Sequence, residues 1–423
     1  MDHARSYYAA TANPAPVRPP LEQDVRADVC VIGAGITGCS AALELAERGY
    51  QVVLLETRRI GWGGSGRSGG QAIFGFGTEQ SSIVRLVGLE HARRMWDVSV
   101  EALELLRTRV ARHDIGCDLH WGHMHAALKP RQRDDLLELK QELEQTYGYP
   151  SLQLMERAEV EALLATQRYC AGLFDTGSGH LHPLNYTLGL ARAAEAAGVR
   201  IYESTPVTGL RRGDPLHLET ARGSVTASYA VAGRGGYLDD LRLKSDWRVM
   251  PVGTYVVATE PLGEERIRAL IRRNVAVADV NFVLDYFRRS ADHRLLFGGR
   301  VSYSGIDALN TGRATRARMV KVFPQLKDVR IDYAWGGFVD ITMNRAPDFG
   351  RLGSNLYYLQ GFSGHGVAMA GMAGRLAAEA IAGQAERFDL FSRIPHQPFP
   401  GGKTLRMPAL VLAMLWFRLK DLL

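Results

Sequence analysis

The stretch Ala27-Asp-Val-Cys-Val-Ile-Gly33-Ala-Gly-Ile-Thr-Gly38 decides the fold of the first part of the chain. Its apolar run predicts a buried parallel strand, and residues 36–49 carry small and aliphatic side chains at helical spacing. The three glycines form the GxGxxG pattern, which allows a tight turn, a close approach of the backbone to a pyrophosphate and close helix packing. Free N–H groups at the helix start favour an anion there. We therefore predict a dinucleotide-binding βαβ unit, with contacts from Gly33, Ala34, Gly35, Ile36, Thr37 and Gly38.

A carboxylate ends the next predicted strand, residues 51–56. Glu56 lies 23 residues after Gly33, where a carboxylate accepts hydrogen bonds from both hydroxyl groups of an adenosine ribose. The alternative is a solvent-exposed glutamate at a strand end. The position favours a dinucleotide whose adenosine ribose carries no phosphate, and so FAD or NAD over NADP.

Two further glycine-rich segments distinguish FAD from NAD. Residues 61–77 contain eight glycines, too little side-chain bulk for a core, and their place after the second strand favours a backbone cradle over a flexible linker. The other segment, Gly361-Phe-Ser-Gly-His-Gly366, lies between a predicted strand at 356–359 and a predicted helix at 367–381, whose N-terminus would face the ligand. FAD needs backbone donors from several such segments, whereas a nicotinamide cofactor does not. We therefore expect FAD.

The order of the segments predicts an α/β protein with two joined domains, in agreement with its 423 residues. The FAD-binding domain is Rossmann-like and discontinuous, and strand-like runs between residues 249 and 333 predict an antiparallel sheet in an inserted substrate domain. The predicted boundaries are 1–24 for an N-terminal lead, 25–85, 150–235 and 340–390 for the FAD-binding domain, 86–149 and 236–339 for the substrate domain, and 391–423 for a C-terminal apolar helix segment.

Composition and charge indicate an ordinary globular enzyme. Apolar residues make up 46% of the chain and charged residues 23%. The formal charge of +6 is spread along the sequence without a groove of basic and aromatic residues, so we expect no nucleic-acid partner. The four cysteines lie far apart without CxxC spacing, and the N-terminus lacks the apolar run of a signal peptide. We therefore expect a cytoplasmic protein without disulfides.

Residues 405–423 form an apolar stretch with basic residues near its end. The stretch predicts a helix that is too short to span a bilayer, because spanning needs about 20 apolar residues. One interpretation is packing against the body of the protein or a second subunit, and the other is attachment to a membrane surface.

Together these segments resemble the D-amino-acid oxidase superfamily of FAD enzymes, which includes glycine and sarcosine oxidases, over nearly the whole chain. The chain is particularly similar to the γ-glutamylputrescine oxidoreductase family. The resemblance is carried by Ser6-Tyr-Tyr-Ala-Ala-Thr-Ala-Asn13, Gly61-Trp-Gly-Gly-Ser-Gly-Arg-Ser-Gly-Gly-Gln71, Ser178-Gly-His-Leu-His-Pro183, Val249-Met-Pro-Val-Gly-Thr-Tyr255, Trp335-Gly-Gly-Phe-Val-Asp340 and Gln360-Gly-Phe-Ser-Gly-His-Gly366. It implies oxidation of a primary amine to an imine, which water hydrolyses to an aldehyde and ammonia. The reduced flavin would be reoxidised by oxygen or another electron acceptor.

The resemblance also implies roles for individual residues. The backbone of Val207 would contact adenine, and the C-terminal turn would close over the flavin. The implied flavin and ribityl contacts come from Gly64, Ser65, Gly66, Arg67, Gly70 and Gln71, those of the turn come from Gly361, Phe362, Ser363, Gly364, His365 and Gly366, and Gly233 belongs to the same cofactor set.

Two departures from the relatives refine the prediction. Relatives that link flavin covalently place a His or Cys in the cradle or near the C-terminal turn; the cradle here contains neither residue, which favours non-covalent FAD. Sarcosine oxidases carry a lysine three residues after the histidine of the turn, where it helps to hold the substrate carboxylate. Ala368 stands at that position, which argues against an α-carboxylate on the substrate.

The candidates for substrate contact follow from the chemistry. Flavin accepts a hydride directly from the amine-bearing carbon, so the protein must hold a deprotonated amine in line with it. An aromatic wall would exclude water, and its candidates are Tyr255, Tyr286 and Trp335, with core packing as the alternative. Within the flavin turn, His365 is expected to contact the ring or the amine.

Charged side chains supply the other candidates. Arg288 and Arg300 would bind a remote carboxylate such as a γ-glutamyl group, or else form salt bridges at strand edges. Lys244 is a candidate for the positive charge that supports oxygen reactivity. His180 and His182 have no third ligand at suitable spacing, so we expect no metal site.

The sequence thus predicts an FAD-dependent oxidase of γ-glutamylputrescine or a similar ω-amine or polyamine. Two alternatives stay open: a membrane-associated amine or amino-acid dehydrogenase that passes electrons to a quinone, and a non-catalytic flavin-binding protein.

Overall fold

The computed structural model describes residues 2–237, 243–302 and 308–400, apart from the side chains of residues 244, 300–302 and 308–311. In chain order the helices are α1 (Tyr7–Ala10), α2 (Ile36–Glu47), α3 (Gln80–Val87), α4 (Leu89–Arg112), α5 (Pro130–Tyr147), α6 (Arg157–Leu163), α7 (Pro183–Ala196), α8 (Glu264–Leu270), α9 (Ala308–Val322), α10 (Gly366–Ile381) and α11 (Glu386–Ser392). Short 3₁₀ helices lie at Gly64–Gly66, Lys244–Arg248 and Pro324–Leu326.

The strands alternate with these helices along the chain. They are β1 (Val25–Ile32), β2 (Val52–Leu55), β3 (Gln71–Ala72), β4 (His120–Ala127), β5 (Leu152–Glu156), β6 (Ala171–His180), β7 (Arg200–Tyr202), β8 (Gly209–Arg211), β9 (Leu216–Glu219), β10 (Ser224–Gly233), β11 (Val249–Thr259), β12 (Ala276–Asp279), β13 (Asp285–Arg289), β14 (Leu295–Ser302), β15 (Ile331–Thr342), β16 (Asp348–Arg351) and β17 (Leu356–Gln360).

One sheet forms the nucleotide-binding half of the protein. Its strand order is β16-β17-β10-β1-β2-β7, and all neighbours are parallel except β16, which pairs antiparallel at the edge. The strands β8 and β9 extend it from β10 as an antiparallel pair. Every residue of β2 is buried, as expected of a parallel strand covered on both faces. The predicted βαβ unit is confirmed as β1, α2 and β2.

Close packing of α10 on α2 brings distant parts of the chain together. A Cβ at Gly374 would lie 2.5 Å from the backbone N of Ala41 and 2.6 Å from the carbonyl O of Thr37, so only glycine permits this approach. From α4, the buried Arg109 bonds to Glu44 at 2.8 Å and to Ser40 Oγ at 2.8 Å. These contacts hold the first half of α10, and the turn before it, beside the start of α2.

The second sheet is larger and mainly antiparallel. Its strand order is β15-β11-β14-β13-β12-β4-β6-β3, with β5 paired to β6 and a parallel pairing between β12 and β4. It contains β5 and β6, although the sequence placed 150–235 in the FAD-binding domain. This placement was wrong for these strands because β6 is rich in small residues, Ala171-Gly-Leu-Phe-Asp-Thr-Gly-Ser-Gly-His180, and gives no local signal of its long-range partner β4.

The glycine segment 61–71 lies between the two sheets. Its first residue, Gly61, donates its N–H to Ala34 O at 2.9 Å, next to the end of β1. Its last residue, Gln71, begins β3 at the edge of the second sheet. The predicted lead also belongs to this region, since the buried Tyr8 of α1 contacts the ring of Trp335 at 5.2 Å. Any ligand cradled by the glycine segment would therefore lie at the junction of the two halves.

The predicted C-terminal segment is described only in part. Residue 399 donates its backbone N–H to Trp247 O at 2.9 Å, and the predicted helix at 405–423 lies outside the described residues. Within the part of the chain that the structure describes, no helix is both long enough and apolar enough to cross a membrane.

Candidate functional site

The GxGxxG turn has the geometry that its glycines predict. Gly33 follows β1 with φ +93° and donates its N–H to Leu55 O at 2.8 Å. A Cβ at Gly38 would lie 1.8 Å from Gly33 O, and a Cβ at Gly33 would lie 2.8 Å from Gly233 O. Glycine is therefore required for the tight approach of α2 to β1. Gly233, predicted as part of the cofactor set, lies directly beside the turn.

The start of α2 faces the glycine segment. The cap residue Gly35 supplies no side chain, and Ser65 Oγ instead accepts the N–H of Ile36 at 3.0 Å. A Cβ at Gly35 would lie 2.8 Å from Ser65 Oγ and would fill the space at the helix end. The absence of a side chain at the cap residue itself leaves room for a pyrophosphate, which the remaining N–H groups and the helix dipole favour.

Glu56 lies beside the turn, as the sequence predicts. Its carboxylate accepts the N–H of Ala34 at 2.7 Å and that of Arg58 at 2.8 Å. A carboxylate has about four lone-pair sites, so hydroxyl groups of a ribose can still be accepted. The N–H of Thr205 donates to Glu56 O at 2.8 Å, which holds the loop with the buried Val207 at the same end of the sheet. The predicted adenosine contacts thus come together.

Arg67 is the charged side chain of the glycine segment 61–71, which is called the cradle from here on. Its guanidinium lies 4.1 Å from the ring centre of Trp62 and 5.3 Å from that of Tyr237, and Nε donates to Trp62 O at 2.8 Å. The pKa of Arg67 lies below its usual value because desolvation lowers it, and the nearby Tyr237 offsets only part of this effect. The backbone O of Arg67 accepts the indole N–H of Trp335 at 3.0 Å, so the second sheet holds the cradle directly.

Arg288 makes neither of the contacts considered for it, a substrate carboxylate or a salt bridge at a strand edge. It is 3% exposed, and its guanidinium donates to Gly69 O at 3.0 Å, to Leu181 O at 2.9 Å and to Tyr8 Oη at 3.0 Å. A further bond reaches the carbonyl of residue 289. Because a guanidinium has five N–H donors and four are already used, the structure assigns Arg288 to holding the cradle rather than a substrate carboxylate.

Two of the predicted aromatic residues share the face of the second sheet that looks toward the cradle. A Cβ at Gly69 would lie 2.5 Å from the Tyr286 ring, and one at Gly298 would lie 2.0 Å from it. Trp335 is 4% exposed and packs in the same cluster, where its N–H bonds to the cradle. Tyr286 and Trp335 therefore support the floor of the site.

Tyr255 lies on the opposite face of the sheet. In the β11–β15 pairing Tyr255 opposes Gly336, whereas Trp335 opposes Val256, and neighbours along a strand point to opposite faces. The Tyr255 ring covers Gly336 and faces the cavity beside Thr315 of α9. The prediction that Tyr255 joins the other two in one aromatic wall was therefore wrong.

An aspartate that the sequence did not single out holds the C-terminal turn. The side chain of Asp340 accepts the N–H of Gly361 at 2.6 Å and that of Phe362 at 3.4 Å, and its own carbonyl accepts the N–H of Ser363 at 3.0 Å. Burial raises the pKa of Asp340 to about 6, and the two backbone donors oppose that rise. Positive φ angles at residues 361, 363 and 364 show that the turn is tightly wound.

His365 ends this turn, and β4 carries the buried His123 and the partly exposed His125. The rings of His123 and His125, on one face of β4, are 4.6 Å apart. The imidazole of His125 acts electrostatically on both His123 and His365. Desolvation lowers the pKa of His365 to about 3 and that of His125 to about 4, and that of His123 lies well below its usual value. All three imidazoles are therefore neutral. A long separation in sequence hid this cluster.

The remaining candidates have structural roles or lie outside the description. His182 caps α7, because its Nδ1 accepts the N–H of Asn185 at 3.1 Å, and its Nε2 meets Thr11 Oγ1 at 3.1 Å. The side chains of Lys244 and Arg300 lie outside the described residues. Among the residues that the structure describes there is no group of three or more His, Cys, Asp or Glu side chains arranged to hold a metal ion.

Comparison with protein families gives one match over most of the chain. The model described as FAD dependent oxidoreductase matches residues 28–380. Among curated proteins, Gamma-glutamylputrescine oxidoreductase of Escherichia coli (strain K12) is 43% identical over 421 residues, which is 99% of each chain. A protein named Probable oxidoreductase OrdL from Haemophilus influenzae is 40% identical and covers 100% of this chain and 98% of its own.

Solved structures share the fold at low sequence identity. Glycine oxidase from Geobacillus kaustophilus superposes with a TM-score of 0.71 at 20% identity, covering 85% of this chain and 95% of that one. L-proline dehydrogenase from P. horikoshii gives a TM-score of 0.70 at 22% identity, covering 86% and 94%. These two likenesses support the two-sheet architecture described above.

Proposed function

The chain belongs to the FAD dependent oxidoreductase family, and we propose that it oxidises the primary amine of γ-glutamylputrescine or a similar ω-amine. It is an FAD-dependent oxidoreductase that acts on amines. The observation that supports the finer proposal is the 43% identity, end to end, with Gamma-glutamylputrescine oxidoreductase. In the proposed reaction the imine product is hydrolysed to an aldehyde and ammonia, and oxygen is the final electron acceptor.

The residues present fit FAD. The helix end at Gly35 would hold the pyrophosphate, and Glu56 would hold the adenosine ribose. The cradle 61–71 lies at the junction of the two sheets, and the turn 361–366, which is bonded to Asp340, would supply further backbone groups to the flavin. Bound FAD supplies the two-electron acceptor that the amino acids lack. Because these contacts are hydrogen bonds and packing, non-covalent binding is part of the proposal.

The surroundings of the C-terminal turn support an amine without an α-carboxylate. Ala368 is buried at 3% exposure in the first turn of α10, where it offers no cation. Phe74 enters the same region from the chain after the cradle, and its ring lies 6.0 Å from that of His125. The apolar surfaces of Ala368 and Phe74 suit an alkyl chain that ends in an amino group.

The protein's own contribution is to bind, orient and exclude water. Trp335 and Arg288 fix the carbonyl groups of the cradle, and Asp340 fixes the turn, so the groups that face the flavin are held from both sides. Such positioning would hold the reacting atoms of the substrate and the flavin roughly 3–3.5 Å apart, which lowers the entropic part of the activation barrier. A cytoplasmic location belongs to this proposal as well, and the described Cys30, Cys39, Cys117 and Cys170 are free thiols.

The test is anaerobic reduction of the purified yellow protein, followed by air. The panel contains γ-glutamylputrescine, putrescine, spermidine, sarcosine and D-alanine. We expect rapid bleaching by γ-glutamylputrescine and hydrogen peroxide after air is admitted. Bleaching by sarcosine or D-alanine alone would contradict the substrate proposal. Bleaching by ω-amines, with slow reoxidation in air and fast reoxidation by a quinone, would show that the protein is a dehydrogenase rather than an oxidase.

A further inference from the structure

The first residues of the chain lie against the cofactor site. Residues 2–21, the N-terminal strap, precede the stretch 28–380 that the family model matches. At the start of the strap, the backbone O of Asp2 accepts the indole N–H of Trp62 in the cradle at 3.0 Å. A segment outside the matched stretch therefore contacts the cradle.

The other end of the strap reaches the adenosine side of the site. Leu21 donates its N–H to Thr205 Oγ1 at 3.0 Å, and the N–H of Thr205 donates to Glu56 O. Between these ends, the buried Arg18 donates two hydrogen bonds to the carboxylate of Glu195 on α7, at 2.7 and 2.6 Å. The strap thus extends along the site from the cradle to the residue that would hold the ribose.

The helix α1 is the part of the strap that meets the second sheet. Tyr8 is fully buried, and its Oη accepts a hydrogen bond from Nη2 of Arg288 at 3.0 Å. The same guanidinium donates to Gly69 O and to Leu181 O. Leu181 in turn donates its N–H to Gly70 O at 2.8 Å. One buried cation therefore connects the strap to the cradle, directly and through a neighbouring residue.

Arg288 depends on uncharged acceptors. Its four hydrogen bonds go to three carbonyl groups and to the hydroxyl of Tyr8, and it forms no ion pair with any residue that the structure describes. An unpaired donor on a buried charged group costs more than one on a neutral group, so each of these bonds matters. Tyr8 supplies the one side-chain acceptor among the four. The strap thereby completes the hydrogen bonding of the residue that holds the cradle.

Aromatic packing gives a second connection between strap and cradle. The ring of Tyr8 meets that of Trp335 edge-on at 5.2 Å, and the indole N–H of Trp335 donates to Arg67 O at 3.0 Å. On its other side the Tyr8 ring lies 4.9 Å from that of His182, which is bonded to Thr11 of the strap at 3.1 Å. Removing the strap would therefore loosen both side chains of the second sheet that hold carbonyl groups of the cradle.

Neither the strap nor the cradle has much order of its own. A helix of four residues such as α1 is unstable in isolation, because the first turn fixes several backbone angles for one hydrogen bond. The cradle is rich in glycine, which loses more conformational freedom on ordering than other residues do. The strap and FAD would both order this same segment, so the presence of either reduces the entropy that is lost when the other binds.

We propose that the N-terminal strap retains the cofactor and that Tyr8 is the positioning residue through which the strap acts on the cradle. The docked strap fixes Arg288, and Arg288 fixes the carbonyl groups of the cradle, so FAD leaves slowly. By thermodynamic linkage, bound FAD also stabilises the docked strap by the same factor. The proposal concerns FAD and does not depend on which amine is oxidised.

The first test measures release of FAD from the holoenzyme. Tyr8→Phe keeps the ring against Trp335 and removes only the acceptor for Arg288. After dilution of the holoenzyme, the rise of free-flavin fluorescence gives the dissociation rate, which we expect to be about tenfold faster than in wild type. The control Tyr149→Phe removes another buried hydroxyl, which bonds to Asp175 at 2.9 Å, and it should release FAD at the wild-type rate. Release at the wild-type rate from folded Tyr8→Phe would overturn the proposal.

The second test asks whether Tyr8 acts through Arg288. In an Arg288→Met background the hydroxyl of Tyr8 has lost its partner, so adding Tyr8→Phe should change the FAD release rate by less than about twofold. A merely destabilising effect of Tyr8→Phe would add to that of Arg288→Met. The same tenfold acceleration in both backgrounds would therefore overturn the positioning role of Tyr8.

The third test changes the surface of the strap and leaves its buried contacts in place. Asn13 is exposed and donates from its side chain to Gly116 O at 2.7 Å, a bond that Asn13→Ala removes. In hydrogen exchange on the holoenzyme, we expect about threefold faster exchange in residues 7–11 and also in residues 61–71, with α8 unchanged. Faster exchange confined to residues 7–11 would show that strap and cradle are not coupled. That result would overturn the proposal even if the variants of Tyr8 and Arg288 do not fold.

Discussion

The ionisation of Asp340 links the stability of the protein to pH. Burial raises its pKa in the folded protein from an ordinary 3.8 to about 6. The folded state therefore holds this proton more tightly than the unfolded state, and stability falls as the pH rises from about 4 to about 6. Because each tenfold change is worth about 1.4 kcal/mol, the ionised carboxylate costs roughly 3 kcal/mol above pH 6.

Replacing this aspartate by asparagine separates the charge from the hydrogen bond. Asp340→Asn keeps an oxygen that can accept the N–H of Gly361 but no longer titrates. We expect the free energy of unfolding of the variant, relative to wild type, to increase by up to roughly 3 kcal/mol between pH 4 and pH 7. Asp340→Ala removes both acceptor and charge and leaves two buried N–H groups unpaired, at about 1–3 kcal/mol each.

The assay is denaturant unfolding of the holoenzyme at several pH values, followed by tryptophan and flavin fluorescence. Asp97→Asn, on the exposed side of α4, is the matched control and should shift unfolding equally at all pH values. A difference between wild type and Asp340→Asn that stays constant from pH 4 to pH 7 would refute the reasoning. It would mean that the carboxylate is stabilised by its two backbone donors as strongly as it is destabilised by burial.

Three further predictions concern the cofactor contacts. Arg288→Met leaves the carbonyl groups of Gly69 and Leu181 unpaired and should reduce stability by about 3 kcal/mol, seen as early melting and loss of FAD; normal FAD content with a higher KM only for the γ-glutamyl substrate would instead place Arg288 on the substrate. Glu56→Gln turns one acceptor oxygen into a donor beside two backbone N–H groups, and the Kd of FAD measured by fluorescence should rise at least about tenfold; an unchanged Kd would separate Glu56 from the ribose. Acid precipitation should leave all the flavin in the supernatant, and a yellow pellet would show a covalent link.

The cofactor half of the protein was well predicted because its signals are local. The clash that requires glycine at position 38 is with Gly33, five residues away, and the position of Glu56 follows from one strand–helix–strand unit. The helix that starts at Gly366 was predicted within one residue for the same reason. Periodicity and glycine spacing describe a short stretch of chain, and these elements depend on little else.

The substrate half was predicted less well because its side chains acquire roles through distant pairing. Arg288 gave the same signal as a substrate-binding arginine until its carbonyl partners near residues 69 and 181 were known. Tyr255 was assigned to the wrong face, since the face follows from its register with Gly336 and cannot be read from an apolar run. The strand β6 pairs with β4 in the second sheet, a long-range pairing that its local sequence does not indicate.

The sequence by itself determined the nucleotide-binding unit, the choice of FAD and the family, all of which are encoded in contiguous motifs. Only the tertiary structure decided which side chains meet: Asp340 with the turn at 361, Arg288 with the cradle, and Tyr8 with Trp335. The physical reason is that a short motif restricts its own backbone, whereas a contact between residues more than 200 positions apart depends on sheet order, strand register and helix packing acting together.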